Sequence, residues 1–363
     1  MADIHVEFCG ITCANPVMPA AGPNAADADA LLRAAAGGAG ALVMKTISVK
    51  PARVPKPCMV KYGADGMLNC ELWSELPAEQ YIATEYAKAK ACGLPLIASI
   101  GYSAEDLAEL GPKVAATGVV DAIEFSLHYT GAGYEPVLAA AKALRAAVRL
   151  PILAKLSPGM PDIGALAKAL EPFVDGFVAV NSAGPGLVID AETGAARLGA
   201  QGGFGWLSGA PLKPLALRCV FEIAHAVSKP VLGVGGISSG RDAIEFFMAG
   251  AAAVQICTAA ILRGPEIYGK VAREISDWLD AHGLASLDAV RNAFVKKQRV
   301  KQPLDFAGAP PTVDTARCVR CGLCVRSCPP GALALKDKQW ALNAPRCVRC
   351  GLCVSVCPHN ALR

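Results

Sequence analysis

The chain has 363 residues, 53% hydrophobic, 18% charged and 6% aromatic, with 36 Gly and 26 Pro. This is too long for one small domain and too apolar for disorder over most of its length, and it suits one large domain plus a small module. A formal charge of +4 without runs of like charge argues against nucleic acid or a membrane as partner. No stretch reaches the ~18 uncharged residues of a membrane span, and Asp3 and Glu7 interrupt the short apolar start, so a cytoplasmic protein is expected.

Short apolar runs alternate with Ala-rich helical stretches over residues 1–283. The strands are predicted at Val17 to Ala21, Ala41 to Thr46, Pro95 to Ile100, Ala122 to Leu127, Pro151 to Leu156, Gly176 to Asn181, Pro230 to Gly235 and Ala252 to Cys257. Helices are predicted at Asp27 to Ala36, Ala78 to Ala91, Glu105 to Thr117, Pro136 to Val148, Ile163 to Leu170, Pro214 to Ala226, Gly240 to Ala249 and Pro265 to Ala281. Eight such repeats, with strands too apolar for a wet face, point to a (β/α)8 barrel; an open doubly wound sheet is the runner-up.

In such a barrel the chemistry gathers where strands end, and polar residues stand there: Lys45 and Thr46, Ser126, Lys155, Asn181 and Ser182, Gly235 and Gly236, Cys257 and Thr258. Any one alone would pass as a satisfied rim hydrogen bond. The connection Ile47 to Leu76 is long and rich in Pro and Gly, which marks a binding loop or lid. Gly235-Gly236 after the seventh strand, with Cys257-Thr258 at the eighth, lies at the barrel's usual phosphate site and points to a phosphorylated cofactor or substrate.

Eight of the fifteen cysteines fall in the last 46 residues. Cys318, Cys321, Cys324 and Cys328 precede Pro329, and Cys347, Cys350, Cys353 and Cys357 precede Pro358. Both runs read C-x2-C-x2-C-x3-C-P, at a period of 29 residues. Zinc knuckles or disulfides would have no use for this doubled pattern, which resembles the bacterial two-cluster ferredoxin. In that arrangement Cys318, Cys321, Cys324 and Cys357 hold one 4Fe-4S cluster, and Cys347, Cys350, Cys353 and Cys328 the other. Residues 311–363 are therefore expected as a ferredoxin-like domain, with 284–310 as connector. Their eight basic residues against two acidic ones would offset cluster charge. The other seven cysteines read as core residues.

Asn15 to Gly22, Lys45-Thr46, Leu68-Asn69, Leu153 to Pro158, Asn181-Ser182, Leu207 to Gly209 and Gly235-Gly236 resemble the FMN barrel of the dihydroorotate dehydrogenase family. The likeness is strongest to the uracil-reducing part of dihydropyrimidine dehydrogenase, which also ends in a two-cluster module. The resemblance implies FMN, two 4Fe-4S clusters, and hydride transfer between flavin and a substrate double bond. It places Ala20, Ala21, Gly22 and Thr46 by the flavin, Lys45 near its N1 side and Lys155 against the ring or ribityl chain. Gly209, Gly235, Gly236, Cys257 and Thr258 would take the ribityl phosphate. Asn69, Ser126, Asn181 and Ser182 would hold the pyrimidine-like ring.

The match breaks after the fourth strand. The family's Asn-Leu-Ser-Cys-Pro, whose Cys donates a proton, is replaced by Ser126-Leu127-His128-Tyr129-Thr130. Tyr129 is expected as the donor, with His128 as rival or hydrogen-bond partner; Tyr134 and Glu135 are further candidates, and the bland alternative is that His128 and Tyr129 only shape the pocket. No G-x-G-x-x-G follows a strand, so electrons are expected from a ferredoxin or an NAD(P)H-oxidising flavoprotein subunit. A homo-oligomer is expected. Two competing readings are an electron-transfer subunit with an inactive barrel and a flavin-free barrel lyase or isomerase.

Overall fold

The computed structural model describes residues 2–126, 133–299, 304–337 and 339–363. The chain divides into two compact units, Met1–Arg299 and Val300–Arg363.

The first unit is a nearly closed barrel of eight parallel strands, as the sequence predicts. They are β1 (Val17–Pro19), β2 (Leu42–Val43), β3 (Leu96–Ile100), β4 (Ala122–Ser126), β5 (Ile152–Leu156), β6 (Gly176–Ala179), β7 (Val231–Val234) and β8 (Ala251–Ile256). The pairing runs from β2 in order through β8 and on to β1. The remaining gap is bridged where Gly40 N–H donates to the Val17 carbonyl at 2.8 Å. These strands are buried along their whole length, because barrel interior and helix layer cover both faces.

The helices of the outer layer are α1 (Ala28–Ala36), α2 (Ala78–Gln80 continuing through Tyr81–Glu85 and Tyr86–Lys90), α3 (Ala104–Ala115), α4 (Glu135–Ala147), α5 (Ile163–Leu170), α6 (Lys213–Ala226), α7 (Gly240–Met248) and α8 (Ile267–Ala281). Their starts are chemically marked. Asp27 caps α1 by accepting from Ala30 N–H, Ser103 and Asp106 form a capping box on α3, and Ser239 caps α7. Residues 284–299 hold a 3-10 turn, Leu287–Ala289, and the helix Ala293–Arg299.

Three features lie outside the predicted repeat, one of them the short helix Thr258–Arg263 between β8 and α8. A hairpin, Val6–Phe8 with Ile11–Cys13, precedes β1. An antiparallel sheet runs Ala183–Leu187, Phe204–Gly209, Gly66–Asn69, Met59–Tyr62. It draws on the long Ile47 to Leu76 connection and on the loop after β6. Among the described residues, no helix is long and apolar enough to cross a membrane.

The second unit is built on a structural repeat. The short helices Leu323–Arg326 and Leu352–Ser355 stand 29 residues apart, as do left-handed Arg320 and Arg349, and Gly322 and Gly351. A hairpin, Leu333–Lys336 with Gln339–Leu342, joins the halves.

Candidate functional site

One cavity, enclosing about 1120 Å³ of space that includes part of the open mouth, lies at the C-terminal ends of the barrel strands. Loop residues bring Ala20, Ala21 and Gly22 after β1 and Lys45 and Thr46 after β2 to its wall. Ser126 ends β4, Lys155 lies in β5, and Asn181 and Ser182 follow β6. Gly235 and Gly236 follow β7, and Cys257 and Thr258 follow β8; the added sheet contributes Asn69 and Gly209. Every described barrel residue picked out from sequence as a cofactor or substrate contact thus lines one cavity. Tyr129 and His128 lie outside the described residues.

The electrostatics of the wall were only half visible in the sequence. Lys45, 6% exposed, donates from Nζ to Glu71 Oε2 at 2.8 Å, and Nζ of Lys155 lies 3.2 Å from Oε1 of the fully buried Glu124. Gln255 Nε2 donates to the other Glu124 oxygen at 3.0 Å, while Gln255 Oε1 is buried without a hydrogen-bond partner among the described residues. Burial works against the charged Glu71, but Lys45, together with Cys58 and Lys56, outweighs it and holds the carboxyl below the ordinary range. Glu71, Glu124 and Gln255 are additions to the site that the sequence reading missed. Glu71 sits beside the recognised Asn69; Glu124 and Gln255 are polar residues inside strands read as apolar.

The amides of the two asparagines are partly committed. Asn69 donates to the Trp206 carbonyl at 3.2 Å and accepts from Glu71 N–H at 3.2 Å. Asn181 donates to Ser126 Oγ at 3.4 Å and accepts from Ser182 N–H at 3.0 Å. Each holds its plane while keeping a second N–H and a further oxygen lone pair. Thr258 and Ser208 hydroxyls pair at 2.9 Å, and Thr46 and Ser99 at 2.8 Å. Burial pushes the Cys257 thiol up, with Lys155 and Lys45 pulling the other way; its Sγ donates to Asn24 Oδ1 at 3.1 Å.

Glycine is required at the β7 end of the cavity. Gly236 has φ +78°, and a Cβ there would come within 2.7 Å of Lys213 Cβ and 2.8 Å of the Gly209 carbonyl oxygen. Lys213, beside it, is already held by Asp242 at 2.7 Å and Glu245 at 2.9 Å. Tyr134 and Glu135 do not line the cavity: the Tyr134 hydroxyl donates to the backbone carbonyls of Pro161 and Asp162, and Glu135 begins α4. Tyr102, from the loop after β3, does line it, with its ring centroid 4.9 Å from that of Trp73.

In the second unit the eight cysteines sort into two cavities. Cys318, Cys321, Cys324 and Cys357 line one, and Cys328, Cys347, Cys350 and Cys353 the other. Each fourth cysteine accepts a backbone N–H at the same place in its repeat: Cys328 from Ala332 at 3.3 Å, Cys357 from Ala361 at 3.4 Å. That bond, with neighbouring backbone N–H groups, lowers the Cys357 thiol, whereas burial raises Cys324 and Cys353. Among the described residues, no three His, Cys, Asp or Glu side chains converge closely enough for a single metal ion.

The dihydroorotate dehydrogenase family matches residues 3–279, and the 4Fe-4S dicluster domain matches residues 317–361. The dihydroorotate dehydrogenase B (NAD(+)) catalytic subunit of Methanothermobacter thermautotrophicus is 35% identical over 298 residues, spanning 78% of this chain and 96% of that protein. The subunit of the same name from Methanocaldococcus jannaschii is 36% identical over 77% of this chain and 95% of its own length. That of Geobacter sulfurreducens is 33% identical, covering 80% and 98%. The chain therefore belongs to the dihydroorotate dehydrogenase family and carries a 4Fe-4S dicluster domain at its C-terminal end.

Proposed function

We propose that the protein is a flavin and iron-sulfur oxidoreductase that passes electrons between a partner protein and a C=C bond of a cyclic amide, through two 4Fe-4S clusters and FMN. The observation that carries this reading is the convergence of fifteen sequence-picked residues on one cavity at the catalytic end of the barrel. The residues fit a phosphorylated flavin. Gly209, Gly235 and Gly236, whose missing Cβ positions are taken by neighbouring protein atoms, present bare backbone to the cavity for a phosphate, with the Thr258 and Ser208 hydroxyls nearby, and Lys45 and Lys155 would supply positive charge for an anionic reduced ring. When bound, FMN supplies hydride exchange with the substrate's carbon pair and single-electron exchange with the clusters.

The chain's own residues do the rest. Asn69 and Asn181, with Ser126 and Ser182, orient a lactam edge through their remaining donor and acceptor capacity. A proton must reach or leave the second carbon, and Tyr129, with His128 as partner or rival, is the proposed donor in place of the family's cysteine. The two cysteine cavities fit cubane clusters: four sulfurs surround each, the fourth from the other repeat, and N–H groups aimed at Cys328 and Cys357 sulfurs stabilise thiolate charge. The relatives are named as catalytic subunits of an NAD(+)-linked enzyme; for this chain we propose a ferredoxin or an NAD(P)H-oxidising flavoprotein as electron partner. The nearer likeness to the uracil-reducing part of dihydropyrimidine dehydrogenase is part of the same proposal, as are the cytoplasmic location and self-association.

Anaerobically purified protein should release FMN on denaturation and bleach on chemical reduction, and a pyrimidine or unsaturated lactam should restore the oxidised flavin spectrum. Tyr129→Phe should leave flavin reduction intact and slow reoxidation by substrate at least tenfold. Equal rates would remove Tyr129 from the chemistry. A reduced flavin that no ring reoxidises, yet that exchanges electrons with a ferredoxin, would instead support an electron-transfer subunit with an inactive barrel.

A further inference from the structure

Four described charged residues line the cavity: Lys45, Asp65, Glu71 and Lys155. Asp65 is tied to Arg263. Each ammonium is matched by one carboxylate, Lys45 by Glu71 at 2.8 Å and Lys155 by Glu124 at 3.2 Å. Dihydroorotate, in the name of the relatives, is a ring that bears a carboxylate, and such a ligand needs a cation or a set of donors where its charge comes to rest. We propose that Glu71 makes this mouth selective for an uncharged ring and excludes a carboxylated one, an inference that rests on the flavin and cyclic-amide reading above.

Glu71 disfavours a carboxylated ring in either arrangement of Lys45. If Lys45 stays on Glu71, an incoming carboxylate that draws Lys45 to itself breaks that pair and leaves the half-buried Glu71 charged without its nearest cation, beside the newcomer's own charge. If Lys45 turns toward a bound flavin, Glu71 faces the ligand without its nearest cation and repels a second carboxylate directly. The Glu71 backbone N–H is bonded to Asn69 Oδ1 at 3.2 Å, which places the residue beside a proposed ring-holding amide, and its carboxylate accepts from the Cys58 thiol as well as from Lys45. Lys155 offers no substitute, since removing it from Glu124 would strand a carboxylate that is fully buried. An uncharged lactam meets none of these costs, and the amides of Asn69 and Asn181 can pair with it.

The test compares uracil, orotate and methyl orotate on the FMN-loaded, full-length protein, by flavin difference spectra and by calorimetry. Uracil should bind at least tenfold tighter than orotate, and methyl orotate, which keeps the bulk but not the charge, should recover at least tenfold over orotate. In Glu71→Gln and Glu71→Leu, checked for FMN content and for circular dichroism, the orotate-to-uracil ratio of Kd should narrow at least tenfold. Orotate binding as tightly as uracil or methyl orotate to the unmodified protein overturns the inference, as does an unchanged ratio in either folded variant. Reoxidation of the reduced flavin by any of the three rings would leave the proposed function standing in those cases. If no ring binds or reoxidises the flavin, both the proposed function and this inference fall.

Discussion

The unusual chemistry of this barrel lies in single residues that interrupt apolar strands. Glu124 is fully buried within β4 and faces two partners from other strands: the Gln255 amide donates to one of its oxygens, and the Lys155 ammonium lies 3.2 Å from the other, which has no hydrogen-bond partner among the described residues. A carboxylate there is tolerable only while both partners remain, since an uncompensated charge in that interior carries a desolvation cost of several kcal/mol. Replacing Lys155 by Met should therefore destabilise the folded chain by about 3–5 kcal/mol, whereas the double replacement Lys155→Met with Glu124→Leu should recover most of that loss. Urea unfolding of the two variants checks it, and equal midpoints would mean that the pair carries no coupling. Lys155 was legible in the sequence because it interrupts an apolar strand next to Ser157-Pro158. Its partner was not, because Glu124 lies 31 positions away beyond an intervening helix, and only the parallel pairing of β4 with β5 brings the two side chains together. The same holds for Glu71, hidden in a connection whose length alone was informative.

At the scale of elements, local chemistry accounts for most of what the sequence predicts, and its failures follow long-range pairing. All eight barrel strands and their helices were legible from short apolar runs alternating with Ala-rich stretches, with α5 predicted at its observed bounds. The four-stranded sheet at the mouth was not, because Gly66–Asn69 pairs with Phe204–Gly209 some 140 residues later and neither run has a strong strand pattern of its own. Where elements meet, side chains bind one to the next. Glu171, just after α5, accepts from Ser228 N–H at 2.7 Å and Ser228 Oγ at 2.8 Å in the connection from α6 to β7, and from Lys168 at 2.7 Å. Lys168 and these two Ser228 bonds pull the Glu171 carboxyl down to about 2. A lowered carboxyl stabilises the fold above its ordinary value near 4.3, and that contribution fades as pH falls through about 2. Glu171→Gln should thus cost about 1 kcal/mol at neutral pH, and the gap to the unmodified protein should shrink steadily below about pH 4. A gap that widens toward acid would reverse the sign and dismiss the assignment.

At the scale of the whole molecule, the chain joins a barrel whose site is assembled from the C-terminal ends of its strands and the loops that follow several of them to a module whose sites are assembled from two repeats. The module was the more legible of the two, since its eight ligand candidates follow a local spacing, and the 29-residue period recurs even in backbone conformation: Gly331 and Asn360, one period apart, are both left-handed. Local spacing leaves one question open, which is whether each run of four cysteines keeps its own cluster or lends one sulfur to the other. The cavities favour lending, with Cys357 among Cys318, Cys321 and Cys324, and Cys328 among Cys347, Cys350 and Cys353. The consequence is a pairing of phenotypes that a run-by-run arrangement would not give. Cys357→Ala and Cys318→Ala should damage the same cluster, so that each variant and their double retain about four iron atoms per chain and one shared electron paramagnetic resonance signal. Cys328→Ala with Cys318→Ala should lose both clusters, because those residues face different cavities. Iron content and spectra of the anaerobically reduced full-length variants separate the two arrangements. Were the Cys318 and Cys328 pair, rather than the Cys318 and Cys357 pair, to leave one cluster intact, the exchange of sulfurs between repeats would be ruled out.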